Sequence, residues 1–210
     1  KMLIDIHRHL EGSHSEKDVE AAKQKFEDPF AGVESLESVS SEIETKGPWT
    51  RFYDALKKAR EGYVTLEAIS HLTYLALMDA AQETDGFDMR FSLVSMVHDY
   101  IKNQGLKRSD INFLDYTESV MGAVQQGVEK ASEEITVPFG LRYGMSRQPQ
   151  YLSDLEFILP IVEDYASLFY GLDVLGRETP DSLAPLEPMI TRLRSTIPDL
   201  TIHAGELLGP

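Results

Sequence analysis

Ile4-Asp5-Ile6-His7-Arg8-His9-Leu10-Glu11-Gly12-Ser13 lies near the start of the 210-residue chain, and Leu200-Thr201-Ile202-His203-Ala204-Gly205-Glu206 lies near its end. The reading of these two stretches decides the fold. Residues 3–9 read as a short strand, apolar on both sides of His7, as in a parallel sheet covered on both faces. Side chains two apart in a strand point the same way, so His7 and His9 converge on one side. The second stretch is another short apolar strand, running into His203, then a glycine and the carboxylate of Glu206. Three imidazoles at strand ends with a carboxylate nearby are the donor set of a catalytic Zn²⁺ site with an open coordination position, one ion per chain.

Between the two strands the pattern alternates. A helix is expected from Ser15 to Phe26, with Val19, Ala22 and Phe26 at helical spacing. Residues 27–48 are acidic and rich in Ser, Gly and Pro, and read as an irregular, solvent-facing insertion. Trp49 to Gln82 is helical, with Phe52, Leu56 and Ala59 along one stripe and a break near Gly62. Residues 10–82 therefore form a helical insertion or lid after the first strand. A strand at Phe87–Phe91 follows, then a helix at Asp110–Glu134 and a strand at Ile135–Tyr143. Helix Leu152–Tyr165, strand Leu168–Val174, helix Pro185–Thr196 and strand Leu200–His203 complete the series. The last three strands recur at about thirty residues with a helix in each gap, which is the spacing of βαβ units. Repeated βα units with chemistry at strand C-terminal ends indicate a (β/α)₈ barrel forming a single domain over residues 1–210, of which five of the eight βα units are countable.

Composition narrows the partners. With 42% hydrophobic and 26% charged residues the chain is an ordinary globular one, and its length suffices for a substantial core. A net charge of −15 opposes binding to nucleic acid or to an anionic membrane, leaving a small ligand as the expected partner. The absence of cysteine removes disulfides and thiolate metal sites, so His and carboxylates are the strong ligands available. No run reaches the roughly 20 apolar residues of a membrane span, and the apolar start is too short for a signal peptide, so the expected location is cytoplasmic.

His-x-His-x-x-Gly-Ser at residues 7–13 and Thr-Ile-His-Ala-Gly-Glu at 201–206 resemble the adenosine deaminase family, within the metal-dependent hydrolases. Three further segments fit the family pattern in the same order: Met89-Arg90-Phe91-Ser92, Met145-Ser146-Arg147-Gln148-Pro149 and Gly171-Leu172-Asp173-Val174-Leu175-Gly176-Arg177-Glu178. The resemblance spans essentially the whole chain but only about the first two-thirds of the family's domain. A further histidine that positions the attacking water and a late aspartate ligand have no counterpart. A complementary C-terminal segment or a homo-oligomer is therefore expected to cover the open barrel edges.

The resemblance implies a purine nucleoside or base as substrate and hydrolytic deamination as the reaction. Zinc-activated hydroxide then attacks the amino-bearing ring carbon, with His7, His9 and His203 as metal ligands. Glu206 becomes the general acid that gives a proton to a purine ring nitrogen, helped by a pKa raised through burial. Glu11 stands where the family commonly carries an aspartate that reaches the ribose, and Gly176 resembles the glycine whose backbone N–H approaches the purine. Met145 resembles a pocket-lining methionine, with core filling as its other reading. Arg177 departs from the acidic residue usual at its place, which bears on the identity of the substrate. Two other functions are carried alongside: a catalytically incomplete fragment or pseudoenzyme of the same family, and another metal-dependent hydrolase acting on an amide or ester. Glu206 argues against the last. His14, His71 and His98 read as isolated surface or core histidines.

Overall fold

The computed structural model describes the backbone of residues 4–9, and residues 60–176 and 182–203 with their side chains. The expected helix at residues 15–26, the irregular segment at 27–48 and most of the predicted insertion at 10–82 lie outside the described residues. The described part is a five-stranded parallel sheet in the order β1 (Ile4–His9), β2 (Gly86–Phe91), β3 (Phe139–Ser146), β4 (Gly171–Leu175) and β5 (Asp199–Ile202). Every strand pairs with the next one in the chain, and every pairing is parallel. A doubly wound sheet reverses its strand order at a switch point, whereas a (β/α)₈ barrel never does. The observed order is that of the barrel.

Helices fill the crossovers: α1 (Leu66–Glu83), α2 (Leu93–Asn103), α3 (Phe113–Ser132), α4 (Leu152–Asp164) and α5 (Glu187–Leu193). Among the described residues none is long and apolar enough to cross a membrane. Helix α1 starts where the Thr65 side chain accepts a hydrogen bond from the Ala68 N–H at 3.0 Å, satisfying a donor that the first turn leaves open. Asn112 caps α3 in the same way, accepting from the Leu114 N–H at 3.3 Å. The two capped helices pack closely because Gly127 of α3 has no side chain. A Cβ there would lie 2.4 Å from the Ser70 carbonyl oxygen and 2.7 Å from Thr73 Cβ.

The strands alternate instead of forming the apolar runs expected of a sheet buried alike on both faces. One face carries Phe87, Met89, Phe91, Leu141, Tyr143, Met145, Leu172 and Val174, all buried in a core shared with Leu72, Val120, Val124, Ile158 and Val162 of the helices. Each large apolar side chain buried there contributes roughly 1.5–3 kcal/mol. The register places Asp88, Arg90, Arg142, Asp173, Asp199 and Thr201 on the other face, in adjacent rows. Such a face belongs to a barrel interior that holds polar chemistry.

The elements differ from the sequence expectations in several places. Strand β4 begins at Gly171, three residues after the expected Leu168, which closes a 3-10 turn at Ala166–Leu168, and β3 runs on to Ser146, past the expected Tyr143. Helix α2 was not anticipated, although Leu93, Val94, Val97 and Ile101 recur at helical spacing and are buried. Strand β3 begins at Phe139, four residues after the expected Ile135. Pro138 has no N–H to give to the ladder, and only its carbonyl joins in, accepting from the Phe87 N–H at 3.1 Å. In β1 the register slips between Asp5 and Arg8, so two residues there oppose one on β2. This interrupts the plain alternation assumed for the strand carrying His7 and His9.

Candidate active site

The polar face is densest at the C-terminal end of the sheet, and its centre is Asp173. This carboxylate is the middle residue of β4 and its side chain is 1% exposed. The Arg90 guanidinium reaches it from β2, with Nε 2.9 Å from Oδ2. The Thr201 hydroxyl donates to Oδ1 at 2.5 Å, and His203 Nδ1 lies 3.1 Å from Oδ2. Burial alone would raise the Asp173 pKa, but hydrogen bonds from His203 and Thr201 and the charge of Arg90 outweigh it and hold the group below the usual carboxylate value. The result is a buried anion on the barrel side of the sheet.

His203 follows directly on β5 and is buried. Its backbone N–H donates to the Val174 carbonyl at 2.9 Å, which extends the β4–β5 ladder by one residue. Its ring turns Nδ1 toward the same carbonyl, at 3.2 Å, and toward Asp173. A histidine that ligates a metal characteristically gives one ring N–H to a carboxylate or carbonyl and coordinates through the other nitrogen. The setting of His203 has that form and fits a zinc ligand. Among the described side chains no cluster of three His or carboxylate groups forms a complete metal cage.

Arg147, buried just beyond the end of β3, ties the strand ends together. Its Nη2 donates to the His203 carbonyl and its backbone N–H donates to the Leu175 carbonyl at 3.0 Å. Gly176 comes next in β4's exit, with φ of 96°, a conformation that side chains other than glycine's rarely tolerate. A Cβ there would meet Ser146 Oγ at 3.3 Å. The turn therefore requires glycine on backbone grounds.

A second charged group lies nearer the N-terminal ends of the strands. Arg142 contacts Asp88 through Nε and Asp199 through Nη2, each at 2.5 Å. Tyr170 stacks beneath it, the guanidinium carbon 4.5 Å from the ring centre. Gly171 leaves the room, since a Cβ there would come 2.4 Å from Arg142 Nη1. Burial opposes the Arg142 charge, yet the bonds to Asp88 and Asp199 dominate and hold its pKa above the ordinary value. The Tyr170 hydroxyl is pushed up to about 12, first by burial and then by its hydrogen bond to Asp88.

Of the residues singled out from sequence, His203 and Gly176 lie together at the C-terminal end of β4 and β5. His7 and His9 fall on β1, where His9 pairs in register with Arg90. Glu11 and Glu206 lie outside the described residues, as does Arg177. Met145 is fully buried in the hydrophobic core, on the face away from Ser146, so the structure shows it as packing. His98, expected to stand alone, instead holds Asp154 of α4 at 2.7 Å. Arg90, Asp173 and Arg147 lie within the sequence motifs but carry no role that the motifs alone assign. The available signal was a charged residue at alternate positions of otherwise apolar strands, as in Phe87-Asp88-Met89-Arg90-Phe91 and Gly171-Leu172-Asp173-Val174-Leu175.

The model of the family described as adenosine deaminase matches residues 3–210. A curated adenosine deaminase from Edwardsiella ictaluri is 28% identical over 214 residues, covering 99% of this chain and 59% of its own length. The chain thus spans about three-fifths of that relative. The crystal structure of an adenine deaminase from Arthrobacter aurescens superposes with a TM-score of 0.72 at 16% identity, covering 99% of this chain and 58% of the other. An amidohydrolase structure from Burkholderia ambifaria with bound Zn gives a TM-score of 0.67 at 17% identity, covering 98% and 52%. At these identities the two structures speak for the fold, a (β/α)₈ barrel of which this chain carries part.

Proposed function

The chain belongs to the adenosine deaminase family, and from that premise we propose zinc-dependent hydrolytic deamination of a purine nucleoside or base as its function. The observation that carries the proposal is the setting of His203, a buried imidazole at a strand end whose Nδ1 faces two acceptors. His7, His9 and His203 would hold the ion, an all-nitrogen set in a chain without thiols. A zinc ion held there supplies Lewis acidity that makes water nucleophilic near neutral pH.

The other roles fall to this chain's own residues. Glu206 holds a proton and delivers it to a purine ring nitrogen, which makes the neighbouring amino-bearing carbon electrophilic, and ammonia leaves after water adds. Glu11 faces the sugar end of the ligand or its equivalent. Gly176 brings its backbone N–H to the purine edge. Arg147 and Asp173 set the position of His203.

The test combines metal analysis and turnover. The protein should hold about one zinc per chain after dialysis, His7→Ala with His9→Ala should lose it, and Glu206→Gln should keep zinc while losing activity on adenosine, adenine and AMP followed by absorbance. Full zinc in the double variant sinks the ligand assignment. Zinc binding without turnover of any of the three purines by the unaltered protein favours a non-catalytic member of the family.

A further inference from the structure

We propose that Asp173, buttressed by Arg90 and Thr201, is a positioning residue that fixes His203 as the Nδ1–H tautomer and so reserves Nε2 for the metal. The proposal rests on the functional reading above for the identity of the ligand, but its geometry stands independently. Nδ1 lies 3.1 Å from a carboxylate oxygen and 3.2 Å from the Val174 carbonyl oxygen. Both are acceptors and neither carries a proton to give, so a nitrogen placed between them is satisfied only as a donor. In a neutral imidazole the other nitrogen then bears the lone pair.

What makes this a positioning device is how Asp173 is itself held. Oδ2 is shared by the guanidinium of Arg90 and the ring of His203, and Oδ1 accepts the Thr201 hydroxyl at 2.5 Å. The groups come from three strands: β2, β4 and β5 with the residue after it. Asp173 and Thr201 sit opposite each other in register, so the hydroxyl meets the carboxylate without reach or strain. Arg90 spans from β2 across β3, a distance of two strand spacings, roughly 10 Å, which only a long side chain covers. The carboxylate therefore has a fixed orientation before any metal arrives. His203 cannot rotate its ring by half a turn without taking Nδ1 away from both acceptors. An isolated imidazole has no such preference, and a ligand in the wrong tautomer must pay for rearrangement before it binds.

Arg147 completes the arrangement from the backbone side, because its donation to the His203 carbonyl fixes the main chain from which the ring projects. Side chain and main chain of one histidine are thereby oriented by groups from β2, β4, β5 and the β3 exit. No other histidine with described side-chain contacts has such surroundings. His98 faces an aspartate on a neighbouring helix at the protein's outer side, and His71 stacks on Tyr74.

Two readouts test the proposal in the intact protein. The first is a long-range ¹H–¹⁵N correlation spectrum of the metal-free protein at pH 8, with the His203 signals assigned by their loss in His203→Gln. The expected result is a single Nδ1–H tautomer, and an Nε2–H tautomer overturns the proposal whether or not any variant folds. The second is zinc affinity by chelator competition. Asp173→Ala should bind zinc about 10- to 100-fold more weakly and show a less exclusive Nδ1–H tautomer at His203, since the Val174 carbonyl alone then faces Nδ1, whereas Asp173→Asn, which keeps an acceptor oxygen, should lose less. An Asp173→Ala protein that is merely less stable, with unchanged tautomer and unchanged affinity, assigns Asp173 a structural role and refutes the positioning one. If the unaltered protein binds no zinc, the functional reading fails, and the tautomer spectrum still decides whether Asp173 orients His203.

Discussion

Replacing Arg90 by methionine isolates the energetic role of the buried anion. The Arg90 side chain is 3% exposed and that of Asp173 is 1% exposed, so water cannot take the place of the guanidinium. Methionine fills most of the volume of the arginine stem, which keeps the cavity contribution small. The carboxylate would be left with the Thr201 hydroxyl and the His203 ring. Removing one partner of a buried ion pair costs about 3–5 kcal/mol, and the surviving Thr201 hydrogen bond and the close His203 ring place the expected loss at the lower end, about 3 kcal/mol. With a urea dependence of roughly 1–3 kcal/mol per molar, the unfolding midpoint should drop by about 1–3 M. The assay is equilibrium urea denaturation followed by circular dichroism. Combining Arg90→Met with Asp173→Asn removes the stranded charge and should recover part of the loss, with a coupling of about 1–3 kcal/mol. An Arg90→Met protein within about 0.5 kcal/mol of the unaltered one would refute the argument, since it would mean that Asp173 is solvated or already neutral.

Two more expectations follow from the packing and the charges. Gly127→Ala gains about 1 kcal/mol of helix propensity but drives a methyl group to within 2.4 Å of the Ser70 carbonyl oxygen, an overpacking that costs about 1–3 kcal/mol. Net destabilisation is expected in a thermal melt, and a stabilised variant would show that α1 and α3 do not approach so closely. Asp173 is held below the ordinary carboxylate value, so the folded state binds fewer protons than the unfolded state in that window. Its contribution is therefore complete above about pH 4 and is lost as pH falls through the folded value. Urea midpoints between pH 6 and pH 2 should show this loss shifted to higher pH in Arg90→Met, and identical profiles would contradict the pairing.

Much of the architecture was legible because the crossover helices and strands recur at nearly constant spacing. The strands at Phe87–Phe91 and Leu200–His203 were placed within a residue or two, and α4 likewise. What failed was governed by groups that a linear pattern does not weigh. Pro138 lies in an apolar, β-branched run that reads as strand, but its missing N–H delays the ladder to Phe139. Helix α2 was missed because it follows a strand after the single residue Ser92, leaving no loop to announce a change of period. At the site, histidines drew the reading because imidazole is rare and its chemistry is distinctive. Arg90 and Asp173 are commonplace charges, and only the register shows that residues 83 positions apart in the chain meet across the sheet.

The charged barrel face also bears on why this sheet is built as it is. Buried ion pairs seldom stabilise a fold more than apolar packing of the same volume would. Two of them, Arg142 with Asp88 near the N-terminal ends, where the half-exposed Asp199 joins, and Arg90 with Asp173 near the C-terminal ends, are therefore poor choices for stability alone. Their common property is direction. An apolar side chain tolerates small shifts of its neighbours, whereas an arginine bound to carboxylates on two strands loses its hydrogen bonds when either strand slides. The lower pair fixes β2, β3 and β5 relative to one another. The upper pair uses that fixed frame to aim a carboxylate at the ring of His203. If this is the division of labour, Arg142→Met should lower stability and leave the His203 tautomer unchanged, because Asp173 keeps its own partners. A tautomer change in Arg142→Met would show that the two charged layers act as one unit instead of as frame and sight.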